Sequence, residues 1–87
     1  MNTFGLTISS PDGNIFQGEA IKLSVRGIEG ELAVMAGHIP FVSPIKPCDC
    51  KITFEDETVK TGRLDGGILT VSSDKTVILT GSFVWKE

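Results

Sequence analysis

The sequence predicts an all-β fold, an antiparallel sandwich or small barrel of short strands in a single domain. Ten glycines and four prolines divide the 87 residues at short intervals. Between them, apolar residues alternate with polar ones, which is typical of strands because successive side chains point to opposite faces. Evenly spaced segments of this kind are typical of antiparallel two-layer folds. Since a chain of this length has room for one core, residues 1–87 are predicted to be one domain.

Each predicted strand ends at a turn signal, and its apolar set is expected in the core. In chain order these sets are Phe4-Leu6-Ile8, Ile21-Leu23-Val25, Leu32-Val34, Cys50-Ile52-Phe54, and the runs 68–71 and 76–80. Turns are predicted at 11–13, 27–30, 37–40, 55–57 and 72–75, where glycine, proline or short polar residues cluster. No segment favours a helix.

Two prolines, Pro44 and Pro47, restrict the stretch between the Gly37 turn and the Cys50 strand. Proline lacks the N–H group that a central strand donates to its neighbour. The stretch is therefore predicted to be an edge strand or a crossover between layers.

Charge and composition exclude several classes of protein. The net charge is -3 and the pI about 5.0, with acids and bases interspersed, so no basic stripe is present for nucleic acid. No apolar run approaches the roughly 20 residues of a membrane-spanning helix, and the N-terminus lacks a basic stretch followed by an apolar one. We expect a soluble protein of a reducing, cytoplasmic compartment.

The inventory of reactive residues disfavours an enzyme. His38 is the single histidine, so one chain cannot assemble a multi-histidine metal site. Gly66 and Gly67 precede strand-like residues, whereas a phosphate loop needs a helix behind it. Ser9 and Ser10 precede a turn and have no nearby base. We expect no catalytic residue and no cofactor.

Cys48 and Cys50 leave two interpretations open. On a strand, a Cys-x-Cys pair projects both thiols to one face, where they could ligate a soft metal or form a strained disulfide. The alternative is that both are small buried hydrophobic residues, which the absence of further ligands favours. His38 likewise is either a turn histidine that caps backbone groups or a contact for a partner.

The stretch from Gly30 to Pro40, Gly-Glu-Leu-Ala-Val-Met-Ala-Gly-His-Ile-Pro, resembles a distinctive motif of the epsilon subunit of F-type ATP synthases, called delta in mitochondria. Three further segments are similar to the same family in the right order: 10–18, 45–47 and 66–71. The resemblance covers nearly the whole chain.

This resemblance implies a flattened antiparallel β-sandwich of roughly ten short strands. It also implies a non-catalytic rotor subunit of the central stalk that joins the gamma subunit to the c-ring and so couples ion-driven rotation to ATP synthesis. Its implied partners are gamma and the c-ring. Its implied location is the cytoplasmic face of a bacterial plasma membrane, peripheral and held there through the complex.

Site residues follow from the resemblance where the motif aligns. The turn from Arg26 through Glu29 to Glu31 is similar to the family's contact with the c-ring, although Glu31 could equally be a solvated loop charge. The segment with His38, Ile39, Pro40, Phe41 and Ser43 is similar to the part that faces gamma. Phe41 is then either an apolar anchor for the partner or a residue of this domain's own core.

The chain departs from the family at two places. Cys48 stands where relatives usually have glycine, which places the local turn geometry in question. The sequence given ends at Glu87, where most relatives continue into a two-helix hairpin that inhibits ATP hydrolysis and in some bacteria binds ATP. We therefore expect no helical hairpin, no self-inhibition and no nucleotide site. Phe83 and Trp85 are expected near the place where that hairpin packs, where they cover an apolar surface or leave it open to a partner.

Two alternative functions remain at this stage. One is a small β-sandwich binding or assembly module of another complex, which would need a concave site with converging polar groups. The other is a metal or redox protein based on Cys48 and Cys50 alone.

Overall fold

The computed structural model describes residues 2–28, 30–37, 39–73 and 75–86. The described residues form eight strands: β1 (Phe4–Ser10), β2 (Gly13–Ala20), β3 (Lys22–Gly27), β4 (Gly30–Met35), β5 (Phe41–Thr53), β6 (Val59–Val71), β7 (Lys75–Leu79) and β8 (Phe83–Lys86). The all-β prediction is confirmed, since these ranges contain no helix and hence no helical hairpin. No helix capable of spanning a membrane is therefore found among them.

The strands form one hydrogen-bonded sheet in the order β2-β1-β7-β6-β5-β3-β4, with β8 attached to the first half of β6. Neighbouring strands run antiparallel except β1 and β7, which pair in parallel from Gly5↔Lys75 to Ser9↔Leu79. The sequence could not reveal this exception, because the direction of a neighbouring strand leaves the alternation of side chains unchanged. The sheet is mixed but mostly antiparallel.

The long strands β5 and β6 bend, so that the continuous sheet folds over itself into two layers. In β5 the consecutive residues Lys46 and Pro47 are both exposed, and the alternation of buried and exposed side chains changes phase there. In β6 the phase changes at Gly66 and Gly67, whose φ angles of 80° and 148° favour glycine. Each long strand serves both layers without a break. This accounts for eight described strands where the resemblance implied roughly ten.

The prolines lie where the sequence predicted an edge or a crossover. In the described ladders, residues 41–44 of β5 pair with β6, and the pairing of β5 with β3 begins at Ile45, so the missing N–H of Pro44 does not interrupt the β3–β5 ladder. Pro47 lies at the bend itself, where β5 passes from one layer to the other. Both positions tolerate proline because neither needs an N–H group that donates to a ladder on each side of the strand.

The core lies between the two layers and is formed by the alternating residues. Leu6, Ile8, Leu23, Ile52, Leu64, Leu69 and Ile78 are at most 1% exposed. Burial of each such side chain contributes about 1.5 to 3 kcal/mol to stability. Ile21, Leu32 and Phe54, which the alternation also placed inside, are half-buried at the margins of the core.

A buried hydroxyl fixes the bend of β6. Thr80 is 5% exposed and donates a hydrogen bond of 2.6 Å from Oγ1 to the carbonyl oxygen of Gly66. The backbone N–H of Thr80 donates to the carbonyl of Ser9 at 3.0 Å. These bonds tie the end of β7 to the bend and to β1, so the outer surface around the bend is held in place.

Candidate functional site

The predicted c-ring turn is the tight hairpin between β3 and β4. Gly27 pairs with Gly30, and the φ angle of 132° at Gly30 is one that side chains rarely adopt. Arg26 and Glu31 are directly opposite each other across the two strands, and both are exposed on the outer surface. Glu29, the third predicted contact, lies outside the described residues. Ile28 at the tip is 58% exposed, so the turn presents charge beside an apolar side chain.

The predicted gamma segment leads into β5. Ile39 is 78% exposed and Pro40 is also exposed, so both are open to a partner. Phe41 is half-buried and packs against the core, so it contributes to this domain's own packing while part of its ring stays accessible. Ser43 is half-buried, and its hydroxyl donates to the carbonyl of Pro44 at 3.1 Å. His38 lies outside the described residues.

One groove joins these two predicted contacts. Its volume is about 550 Å³, and its walls come from the β3–β4 hairpin on one side and the start of β5 on the other. Ile28 and Glu31 line the first wall, while Phe41, Val42 and Ser43 line the second. The groove lies where the hairpin and β5 diverge, since the described β3–β5 ladder begins only at Ile45. The sequence placed the two contacts in separate segments, and the fold makes them adjacent.

A surface that the sequence argument missed extends from this groove across the layer of β1, β7, the second half of β6 and the start of β5. Its outer side chains form two cross-strand rows, Ser9-Leu79-Ile68-Pro44 and Thr7-Val77-Thr70-Val42. We call these eight residues the uncharged face. Val42 is 66%, Leu79 53% and Ile68 46% exposed. Exposed apolar surface of this kind marks interaction sites.

A signal for the uncharged face is present in the sequence. The run Ile68-Leu69-Thr70-Val71 and the run Val77-Ile78-Leu79 carry apolar residues at consecutive positions. Because neighbouring side chains of a strand point to opposite faces, such runs indicate that both faces are apolar. Leu69, Val71 and Ile78 fill the core, and the others are left outside. Beside the face, Pro11, Gly67 and Leu79 line a depression of about 480 Å³.

The C-terminal aromatic residues lie at one side of the sandwich. Phe83 and Trp85 are half-buried, with ring centroids 4.9 Å apart in an edge-to-face arrangement. Trp85 also makes an edge contact with Phe16 of β2 at 5.8 Å, so the pair closes the side of the core between β2 and β8. Val84, between them in the sequence, points outward and is 63% exposed. The two aromatic rings therefore cover apolar surface between β2 and β8, while both stay partly exposed.

Both cysteines are free thiols in the core. Cys50 is 0% exposed, and burial raises its pKa to about 12, with the neighbouring Cys48 adding to the shift. A thiol that stays protonated is a poor metal ligand and a poor nucleophile. No group of three potential metal-ligating side chains converges within the described ranges. The arrangement supports the structural interpretation of the pair.

Cys48 has a specific structural role. The β3–β5 ladder is irregular between Ser24 and Gly27, so Arg26 has no backbone partner in β5 there. Instead its N–H donates to Cys48 Sγ at 3.3 Å, and the Cys48 thiol donates to its carbonyl at 3.9 Å. A glycine at this position could make neither bond. The thiol thus closes a gap in the ladder below the β3–β4 turn.

A two-layer sandwich with an exposed uncharged face beside a charged hairpin has the features of an interaction domain. Residues 3–86 match the family described as ATP synthase, Delta/Epsilon chain, beta-sandwich domain. The chain belongs to this family.

Individual relatives agree with this assignment. The chain is 40% identical over 85 residues to the sodium ion specific ATP synthase epsilon chain of Acetobacterium woodii, covering 98% of this chain and 64% of that protein. A chain in the cryo-EM structure of the Euglena gracilis mitochondrial ATP synthase OSCP/F1/c-ring superposes with a TM-score of 0.90 at 26% identity, over 95% of this chain and 53% of that one.

A second solved structure shares the fold. A chain of the Tetrahymena thermophila mitochondrial ATP synthase central stalk/c-ring structure superposes with a TM-score of 0.78 at 15% identity. It covers 94% of this chain and 66% of that one. The chain thus spans about two thirds, or less, of the length of the relatives it matches.

Proposed function

We propose that this chain is a non-catalytic component of the central stalk of a membrane-bound F-type ATP synthase, joining the gamma subunit to the c-ring. The family assignment supports the class of complex. The observation that carries the proposal is the single groove lined by Glu31 on one wall and by Phe41 and Ser43 on the other. A coupling piece must hold two partners in fixed relation, and neighbouring contacts on a rigid sheet do this with little intervening flexibility.

The gamma contact is proposed to combine Ile39 to Ser43 with the uncharged face. Val42 belongs to both, and Ile68 and Leu79 continue the apolar surface away from the groove. A partner that covers these side chains gains the hydrophobic term, at about 25 cal/mol per Å² of apolar surface removed from water. His38 belongs to this proposed contact by its place in the sequence.

The c-ring contact is proposed at the β3–β4 hairpin, with Arg26, Glu29 and Glu31. These charges lie on a short hairpin, and exposed ion pairs contribute only about 0.2 to 1 kcal/mol each. Their role is therefore orientation more than affinity. In the assembled enzyme the chain is proposed to be peripheral to the membrane, and the proposal includes a location at the cytoplasmic face of a bacterial plasma membrane. No cofactor and no nucleotide are part of it.

Charge insertion into the uncharged face tests the gamma contact. We expect Val42→Glu to weaken binding of the isolated gamma subunit by at least about tenfold, because a carboxylate would be buried without a partner. The matched control is Val84→Glu, since Val84 is similarly exposed, at 63% against 66%, on the other layer. Titration calorimetry measures both. Equal effects of the two substitutions would contradict the assignment of this face to gamma.

Charge reversal at the hairpin tests the second contact. Glu31→Lys is expected to reduce retention on detergent-solubilised c-ring while leaving gamma binding unchanged. Glu55→Lys, in the exposed turn at the opposite end of the β3–β5 layer, is the matched control. If Glu31→Lys and Glu55→Lys are retained on the c-ring as well as the parent, the hairpin is not the contact.

A further inference from the structure

The outer face of β5, β6 and β8 carries a concentration of positive charge that the proposed rotor contacts do not use. Lys51, Arg63 and Lys86 project from this layer, and the side chain of Lys60 reaches its border. We call these four residues the cationic face. The chain as a whole has a net charge of -3 and eight basic residues, so half of its positive charge is gathered here.

The carboxylate within the cationic face, that of Asp49, is already paired with two basic residues of the same face. Asp49 accepts a hydrogen bond of 3.1 Å from Lys86 Nζ, and its other oxygen lies 3.5 Å from Arg63. The hydrogen bond from Lys86, and to a smaller degree Arg63, lowers the pKa of Asp49, so the carboxylate stays ionised. Lys51 and Lys60 make no ion pair with any residue in the described ranges. They remain available to a partner.

The shape of the surface provides a place for a partner's side chains. Lys51, Lys60 and Lys86 converge on a depression of about 630 Å³, whose remaining walls include Val59 and Trp85. Lys60 Nζ lies 5.5 Å from the centroid of the Trp85 ring. Val59 is 56% and Val84 63% exposed on the same side. The surface therefore offers three ammonium groups together with exposed apolar side chains.

The edge of β8 indicates the form of the partner. Within the described residues, β8 pairs only with Thr61 to Leu64 of β6, so its other edge carries backbone N–H and carbonyl groups that no described strand meets. Such an edge pairs readily with an extended peptide. A strand added there would lie about 4.8 Å from β8 and would direct alternate side chains over the cationic face.

From these observations we propose that β8 and the cationic face form a docking site for an extended, carboxylate-rich segment of a protein partner. Backbone pairing with β8 would supply the main-chain contacts, and carboxylates at alternate positions would meet Lys86, whose ammonium has donors beyond the one given to Asp49. Lys51, two strands further into the sheet, would add attraction at longer range. A peptide fits better than a lipid surface, because a lipid cannot satisfy the backbone groups of the edge. The proposal is independent of the gamma and c-ring contacts, which use other faces.

The test uses a labelled ten-residue peptide of alternating glutamate and threonine, with fluorescence anisotropy as the readout. Trp85 is the only tryptophan of the chain and lines the depression, so its fluorescence gives a second, intrinsic readout. Binding should weaken as ionic strength rises from 10 to 150 mM, since the Debye length falls from about 30 to about 8 Å. The corresponding lysine-threonine peptide should not bind.

Two variants distinguish binding at this face from a general effect of the protein's net charge. Lys86→Glu is expected to weaken peptide binding about three- to tenfold, because the side chain beside the added strand then repels its carboxylates. Lys75→Glu makes the same charge change at the exposed start of β7 in the other layer, and it should change the affinity less than about twofold. Equal loss in both variants would overturn the proposal.

Two further measurements test the kind of partner. The same peptide with N-methyl groups at every residue has no N–H group to donate on either edge, and it should bind at least about tenfold more weakly. Vesicles of phosphatidylglycerol should bind less well than the peptide at equal anionic charge. Undiminished binding of the methylated peptide, or preferential binding of the vesicles, would contradict a strand-adding acidic partner.

Discussion

At the scale of single residues, Cys50 shows how burial decides what a thiol can do. Its side chain is fully buried beside Cys48 in β5, and burial raises its pKa from 9.0 to about 12. In the unfolded chain the same thiol ionises near its ordinary pKa. The folded state therefore favours the protonated form, and the contribution of this difference to stability is complete below pH 9 and is lost as the pH rises towards 12.

A pH series measures this contribution. The free energy of unfolding of the parent, relative to that of Cys50→Ala, should be constant from pH 7 to about 9. Above that it should fall, by at most about 1.4 kcal/mol per pH unit. Urea unfolding followed by Trp85 fluorescence gives both values. A difference that stays flat up to pH 10.5 would mean that Cys50 is not held neutral by the fold.

At the scale of elements, the bends of β5 and β6 create the two layers and hence both outer faces. Gly67 is the most restrictive position, because a Cβ atom there would overlap the carbonyl oxygen of Leu79. Its φ angle of 148° is also unfavourable for any side chain. Neighbouring Gly66 accepts the buried bond from Thr80. The bend therefore depends on backbone geometry that only glycine supplies.

A glycine pair tests the bend. Gly67→Ala should destabilise the protein by about 2 to 4 kcal/mol, because backbone strain adds to the clash with β7. This is a large share of the free energy of unfolding of a small domain, which is about 5 to 15 kcal/mol. Gly81→Ala is the control, since a Cβ at Gly81 meets open space and its φ angle is ordinary; it should change stability by less than about 1 kcal/mol. Thermal unfolding compares the two, and similar melting temperatures would contradict this account of the bend.

Individual elements also show which features of the fold the sequence could predict and which it could not. Alternation predicted the buried sets of β1 and β3, as with Leu6, Ile8 and Leu23, because burial in each strand alternates without a change of phase. It could not predict the change of phase at Gly66 and Gly67, which depends on φ angles above zero rather than on side-chain polarity. It also missed the uncharged face, since Ile68 and Leu79 looked like further core residues. The groove could not be predicted from the sequence, because Glu31 and Phe41 come close to each other only when β5 passes beside the hairpin.

At the scale of the whole molecule, the two layers present different surfaces to the surroundings. One is the uncharged face, with Val42, Ile68 and Leu79 exposed. The other carries the cationic face, centred on Lys51 and Lys86. The β3–β4 hairpin lies at one end of this second layer, beside the groove. A rigid sandwich with distinct surfaces can hold several partners at once, which is what the proposed place in a rotor requires.

The most direct test of this account is the formation of a ternary complex, measured by native mass spectrometry of the chain mixed with the gamma subunit and c-ring of the ATP synthase from its own organism. The account predicts a species that contains all three components and is lost with Val42→Glu on the gamma side or Glu31→Lys on the c-ring side. Gamma and c-ring that assemble equally well without the chain, or a chain that joins neither of them, would contradict its role as the coupling piece.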